Sequence, residues 1–175
     1  MSPLQTILAL GALLLLSIVI IRMNDTSSAA EDVIYNSSFG VLATSLSTSV
    51  IEEANRKHFD STTDTMFITD LAPLTDASRL GCETGEDPNN IASFNDFDDF
   101  NNYTKIDSSM PSAIFKISCR VGYVDDSNPD KFVNNKTWHK KLTVYVTSRY
   151  MHGVRDPKKF DTLKVSSIFS YWTSR

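Results

Sequence analysis

Charge of either sign is missing from the front of the chain: no Lys, Arg, Asp or Glu occurs before Arg22. An apolar run without charge is not stable against water, so this segment calls for lipid or a bundle of like helices. Cysteine is scarce, with only Cys82 and Cys119. The absence of Cys-x-x-Cys and His-x-x-x-His spacings excludes a zinc site built from neighbouring ligands. The three histidines, His58, His139 and His152, stand apart among polar or basic neighbours and read as surface residues. No Gly-rich phosphate loop, Gly-x-Ser-x-Gly elbow or dinucleotide fingerprint is present. With no nucleophile and base to pair, the expectation is a protein that is not an enzyme. Basic residues run no longer than pairs such as Lys140-Lys141 and Lys158-Lys159, and the formal net charge is −4. That balance excludes a nucleic-acid surface and leaves the lysine pairs as solvated.

What is present begins with Ile7 to Ile21, ILALGALLLLSIVII. From Leu4 to Met23 only Gln5, Thr6, Ser17 and Arg22 are polar, and about 20 such residues span a hydrocarbon core. A cleaved signal peptide is the alternative, since Ser28-Ala29-Ala30 would pass as a cleavage site, but a basic segment ahead of the apolar run is missing. Further on, Ile34/Tyr35, Phe39, Leu42, Leu46, Val50/Ile51 and Ala54 recur at steps of three or four, which places them on one helix face. The expectation is one very long helix over residues 4 to 57, roughly 80 Å at 1.5 Å per residue. Gly40 is tolerated inside it at a cost of about 1 kcal/mol. Three parts follow: a transmembrane or filament-core half over 1–25, an amphipathic half over 26–60, and a globular head over 61–175.

Within the head, residues 66–93 are loop-like, punctuated by Pro73, Gly81, Gly85 and Pro88. Next, Phe94, Phe97, Phe100 and Tyr103 recur at every third residue while Asp96, Asp98 and Asp99 fill the gaps. That spacing predicts a short helix or 3₁₀ segment with its rings on the core and its acids in water. The same acids raise calcium as a possible cofactor. Asp96, Asp98 and Asp107 match the first, third and twelfth places of a calcium loop, but Phe100 stands at a ligand place and Asn101 where the turn Gly belongs. Asp126, Asn128 and Asp130, in the connection Asp125 to Asp130, are a second weak calcium set, with a solvated turn as the plainer reading. Phe115, Ile117, Cys119, Val121 and Tyr123 alternate with Lys116, Ser118 and Arg120, the pattern of a half-buried strand. Leu142, Val144 and Val146 mark a second strand and Leu163 to Trp172 a third. The predicted class is α+β: the long helix covering an antiparallel sheet of about three main strands. If the head faces an oxidising compartment, Cys82 and Cys119 are expected to pair, closing a loop worth roughly 4 kcal/mol; two buried free thiols are the alternative. Four Asn-x-Ser/Thr triplets, starting at Asn24, Asn36, Asn102 and Asn135, are frequent by chance in such a composition.

A hydrophobic then amphipathic N-terminal helix, an acidic aromatic segment (Asp96 to Thr104), an alternating strand (Phe115 to Tyr123), the run Lys140 to Thr147 and a last strand ending in Tyr171-Trp172 together resemble a type IV pilin. More particularly the layout is similar to the MSHA-type and PilV-like minor pilins. The resemblance implies a pilin-like fold and a structural subunit of an extracellular filament, held in the inner membrane until an assembly machinery polymerises it with its own copies. It implies that Leu4, Ile7, Leu8, Leu10, Gly11, Leu14, Leu15, Ile18 and Ile21 form the filament core. It also assigns the assembly terminus to Met1 and Gln5, the latter standing where the family has a glutamate if Met1 is the mature first residue. A minor pilin or pseudopilin, or a membrane-anchored binding protein, is the alternative expectation.

Overall fold

The computed structural model describes residues 2–110, 113–152 and 160–173, with backbone alone for 27–33, 152 and 173. Helix α1 is assigned to Pro3–Asn55, but the chain divides inside it into two compact units, Met1–Ser38 and Phe39–Arg175. The expectation of one very long helix acting as a single spine is therefore corrected. What stands is an apolar N-terminal stretch, Pro3–Thr26, and a packing stretch of α1 from Phe39 to Asn55 that belongs to the second unit. The physical reason lies in the expected stripe itself. Ile34 and Tyr35, which should continue the buried face, are 63% and 62% exposed.

In the first unit, the helix opens with Ser2 and Pro3. The Gln5 N–H donates to the Ser2 carbonyl at 3.0 Å, and the Ser2 N–H returns to Gln5 Oε1 at 3.1 Å. This is the reach-back half of a capping box, with Pro at the first helical position where its missing N–H costs nothing. Met1 lies outside the described residues.

In the second unit, Ala43, Ser47, Val50 and Ala54 are buried at steps of four, three and four, flanked by the partly buried Leu42, Leu46 and Ile51. Small residues on this face let the helix lie close over the sheet, and the Ser47 hydroxyl is satisfied by the Ala43 carbonyl at 2.9 Å. The chain then turns into the five-residue α2, Ser61–Thr65, started by a capping box at Asp60.

Strands β1 (Thr104–Asp107), β2 (Phe115–Asp125), β3 (Asn128–Val133), β4 (His139–His152) and β5 (Phe160–Ser170) form one antiparallel sheet. The order is β1-β2-β4-β5, with β3 also paired to β2. The expected meander of three strands is β2, β4 and β5, aligned so that Cys119 faces Val144 and Val144 faces Val165. Two strands are additional to that expectation. β1 is short and its residues are mostly exposed, so it carries no alternation to detect. β3 begins inside the expected turn, because Asp125 pairs with Asn128 and only Asp126 and Ser127 remain as hairpin loop. Gly122 is required where β2 meets β3: a Cβ there would lie 2.6 Å from Phe132 Cδ1. The last strand stops at Ser170 and gives way to a 3₁₀ turn, Tyr171–Thr173.

The inward row of β2 (Phe115, Ile117, Cys119, Val121, Tyr123) meets Leu142, Val144 and Val146 of β4, all buried. The aromatic segment closes the core as expected. Phe94, Phe97, Phe100 and Tyr103 are buried, a 3₁₀ turn forms at Asp98–Phe100, and Phe97 lies 5.0 Å from Phe169 between ring centres.

The Cys82–Cys119 disulfide is not formed; both are free thiols. Cys119 is fixed in the inward row of β2, whereas Cys82 lies in the loop region and its Sγ contacts the Asp99 carbonyl at 3.5 Å. Burial, with Asp99 and Glu86 nearby, pushes the Cys82 thiol up to about 11, and burial alone pushes Cys119 up to about 12. Thiol titration of the denatured, unreduced chain is expected to find both sulfurs reactive; a count near zero would show a bridge.

Candidate functional site

The chemistry of the second unit concentrates where the inward row of β4 ends in a cation. In a strand, alternate residues share a face, so Lys140 points the same way as Leu142, Val144 and Val146. It is fully buried, and the expectation that it is a solvated lysine is corrected. Its three ammonium protons have three acceptors: the Phe59 carbonyl at 2.7 Å, Asp60 Oδ2 at 2.9 Å, and Asp98 Oδ1. The ammonium also sits 4.7 Å from the centre of the Phe59 ring and 5.5 Å from that of Tyr123, where ring quadrupoles favour a cation. Its neighbour Lys141 pairs with the exposed Asp130 at 3.1 Å.

Asp60 reaches the ammonium from the start of α2 while accepting from Thr62 N (3.3 Å), Thr62 Oγ1 (2.9 Å) and Thr75 N (3.0 Å). Asp98 comes from the 3₁₀ turn, held in place by a reciprocal pair of turns. Asp96 Oδ1 accepts from the N–H of Asp98 (2.8 Å) and Asp99 (3.3 Å), and Asp99 Oδ2 accepts from the N–H of Asn95 (2.8 Å) and Asp96 (3.0 Å). The segment is tied to the stretch just after α1 by the Phe97 N–H, which donates to the His58 carbonyl at 2.9 Å.

Asp96, Asp98 and Asp99 are thus buried along with the rings, at 0%, 0% and 1% exposure. The expectation that the acids face water is corrected. The reason is that polar groups are buried when they are paired, and here the partners are a distant cation and the turn's own N–H groups. Pairing is incomplete, however: Asp96 Oδ2, Asp98 Oδ2 and Asp99 Oδ1 are buried without a partner. Glu83 adds an oxygen that lies with those of Asp96 and Asp98 inside a span of 4.8 Å, and Cys82, Glu86 and Asp99 form a second such group. An acidic cluster able to hold a metal is present at this place.

The weak calcium candidates separate. Asp96 and Asp98 lie together, but Asp107, assigned the twelfth place, accepts instead from Ser109 N (2.9 Å) and Ser109 Oγ (2.6 Å). Asp126 faces His139 Nε2 at 2.7 Å, Asp130 faces Lys141, and Asn128 pairs in β3. Among the described residues, neither Asp126 nor Asp130 joins a metal-competent group. Sequence spacing also missed a chain of contacts from Asp126 through His139 to Ser170, whose hydroxyl lies 2.6 Å from His139 Nδ1. The Asp126 side chain is 80% exposed, so water screens its effect on the imidazole.

Burial pushes the Asp96 carboxyl up to about 9, reinforced by Asp98, and Asp99 up to about 6; Asp98 and Glu83 are also raised, burial again leading. At Asp60 burial is outweighed by Lys140 and the hydrogen bonds from Thr75 and Thr62, leaving its carboxyl below the usual value. At Lys140 burial is outweighed by Asp98, Asp60 and Asp96, which hold its pKa above the usual value.

No family model, curated protein or solved structure matches the chain.

Lys140→Met is expected to destabilise the chain by about 3–5 kcal/mol in denaturant unfolding, because two buried carboxylates lose their counter-charge. The pH dependence follows from the directions. Stability from Asp60 is complete above its unfolded pKa and lost as pH falls through its folded one. Stability from Asp96, Asp98, Asp99 and Glu83 is complete below the ordinary carboxylate range and lost as pH rises through the folded values, near 6 for Asp99 and near 9 for Asp96. Stability from Lys140 is complete below its unfolded pKa and lost as pH rises through its raised folded one. With a chelator present, calorimetry is expected to give a higher Tm near pH 5 than near pH 8.5; the reverse order would mean that the cluster is stable fully ionised.

Proposed function

We propose that the chain is a structural subunit of an extracellular type IV pilus-like filament, anchored in a membrane before assembly and polymerised through its N-terminal helix. One observation carries the reading: from Leu4 to Met23 every large apolar side chain is 53–69% exposed. Pro3–Thr26 is long and apolar enough to cross a membrane, a length of about 36 Å at 1.5 Å per residue. A membrane anchor or a signal sequence would have the same character. The polar side chains of the segment are those a lipid-facing helix tolerates. Thr6, Ser17 and Thr26 donate their hydroxyls to the carbonyls of Pro3, Leu13 and Arg22 at 2.8 Å each, and the Gln5 carboxamide oxygen accepts from the Ser2 N–H. Polar groups satisfied within their own helix enter hydrocarbon at low cost.

Moving such a helix from lipid into a bundle gains little hydrophobic energy, because acyl chains are as apolar as leucine. Cohesion must come from close packing, and Ala9, Gly11, Ala12 and Ser17 are the small residues that permit it. Nothing within 4 Å occupies the Cβ position of Gly11, leaving room for a neighbour's backbone. Leu4, Ile7, Leu8, Leu10, Leu14, Leu15, Ile18 and Ile21 would fill the bundle around them. A head-to-tail contact whose rotation does not close propagates without limit, which is what makes a filament.

The full chain, purified in detergent and then freed of it, is expected to form filaments in electron micrographs. Leu14→Asp is expected to abolish them, since an acid at mid-helix costs about 2.5–3.5 kcal/mol per subunit. Filaments unchanged in that variant would overturn the reading. Protein that stays in the membrane fraction and is absent from sheared surface material would favour a membrane-anchored binding protein. Filaments in which it is sparse would favour a minor pilin.

A further inference from the structure

The acidic cluster beneath the β4 lysine carries more negative charge than its own cation can balance. Asp60, Asp96, Asp98 and Asp99 are buried and Glu83 lies beside them, yet among the described residues Lys140 is the one ammonium buried with them. Lys140 spends its protons on Phe59, Asp60 and one oxygen of Asp98. Asp96 spends Oδ1 on the turn, which leaves Asp96 Oδ2 and Asp98 Oδ2 in the interior with no donor in reach. An unpaired buried carboxylate oxygen is costly in a dry interior. Two such oxygens on adjacent side chains are stabilised either by a shared proton or by a cation.

We propose that Glu83, Asp96 and Asp98 bind a hard divalent cation, calcium being the fitting ion. One oxygen from each of the three lies within 4.8 Å of the others. Cation–oxygen bonds of roughly 2.3–2.6 Å place two ligands on one calcium up to about 5 Å apart, so the three can meet on a single ion without rearranging the fold. The donors are all carboxylate oxygens, the set that hard cations prefer over zinc or copper. Glu83, on the loop that precedes the acidic turn, gives the ion a face toward water, where solvent completes its coordination as calcium permits. The first two ligands are the ones that sequence spacing suggested; the third comes from Glu83 and not from Asp107. Proton and cation compete for one place, so a cation entering between Asp96 and Asp98 displaces any proton the two carboxyls share. The site lies wholly within Phe39–Arg175 and stands whether or not the chain polymerises.

Full-length protein in a nonionic detergent, stripped with chelator and titrated with calcium chloride near pH 7.5, is expected to give saturable heat at one ion per chain. Its Tm is expected to rise by about 5 °C or more at a hundredfold excess over Kd. Asp96→Asn keeps the acceptor for the Asp98 and Asp99 N–H groups and Glu83→Gln leaves Lys140 untouched, so both are expected to be at least as stable as the wild type without calcium. Each is expected to weaken calcium binding at least tenfold. Absence of saturable heat and of any Tm shift in the wild type overturns the proposal, as does a calcium response that survives at full strength in both variants. Should Asp96→Asn unfold, Glu83→Gln decides alone, by whether its calcium affinity falls.

Discussion

The Lys140 ammonium, completely enclosed, joins three stretches that the chain keeps far apart: the Phe59-Asp60 junction after α1, the 3₁₀ turn at Asp98, and the core face of β4. Each contact is between charged or strongly polar groups in a region that excludes water, so none can be lost without leaving a buried charge unpaired. That asymmetry makes the contact set restrictive. The loop from Asp60 to Phe97 has little regular structure, and its two ends are held at one point by a single side chain. Tyr123 reinforces the same point, its hydroxyl bonding to the Thr75 carbonyl at 2.7 Å while its ring lies beside the ammonium.

From this point the packing of the second unit follows. Once Asp98 is drawn inward, the residues one place before and two places after it, Phe97 and Phe100, must also enter the core. Phe97 meets Phe169 of β5, and Phe100 meets Phe94 edge-to-face at 5.0 Å. Aromatic pairs in that geometry contribute about 0.5–1.5 kcal/mol beyond their buried area. Asn101 completes the join. Its Nδ2 donates to the Leu80 carbonyl at 2.9 Å and its Oδ1 accepts from the Val121 N–H at 3.0 Å, linking the loop to β2. Asn102 turns the chain into β1 with φ of 66°, a left-handed conformation that Asn tolerates better than most residues.

Elements whose evidence is local were legible in the sequence. The apolar helix is written in the absence of charge before Arg22, β2 in the alternation from Phe115 to Tyr123, and the buried rings in the spacing from Phe94 to Tyr103. The division of α1 was not legible, because Ile34 and Tyr35 fit the stripe by spacing and only their exposure excludes them. Nor was the cluster. Asp between aromatics is solvated by default, and what reverses that default is a lysine 42 residues beyond Asp98 and 80 beyond Asp60. Lys140 does carry one overlooked sign: it occupies the same strand face as Leu142, Val144 and Val146. Period-two alternation placed it inside, while its charge alone placed it in water. The short strands β1 and β3 had no face to alternate, and the disulfide was inferred from compartment and count, neither of which fixes where a thiol points.

The front of the chain raises a different constraint. In the pilin resemblance a glutamate near the start neutralises a neighbouring amine, a pairing that aligns subunits by charge. Gln5 offers no charge, and its carboxamide oxygen is already engaged by the Ser2 N–H. A carboxylate in this place would have to be neutralised before entering hydrocarbon; a carboxamide carries no charge to neutralise. In the filament proposed above, a Gln5 occupied in this way cannot set the register between subunits by an ion pair. That task falls to shape, to the steps between Ala9, Gly11, Ala12 and Ser17 where another helix can approach. Packing between small residues is short-ranged and tolerates no unfilled gap, so subunit register in such a filament would be more sensitive to side-chain volume at these four positions than to salt or pH.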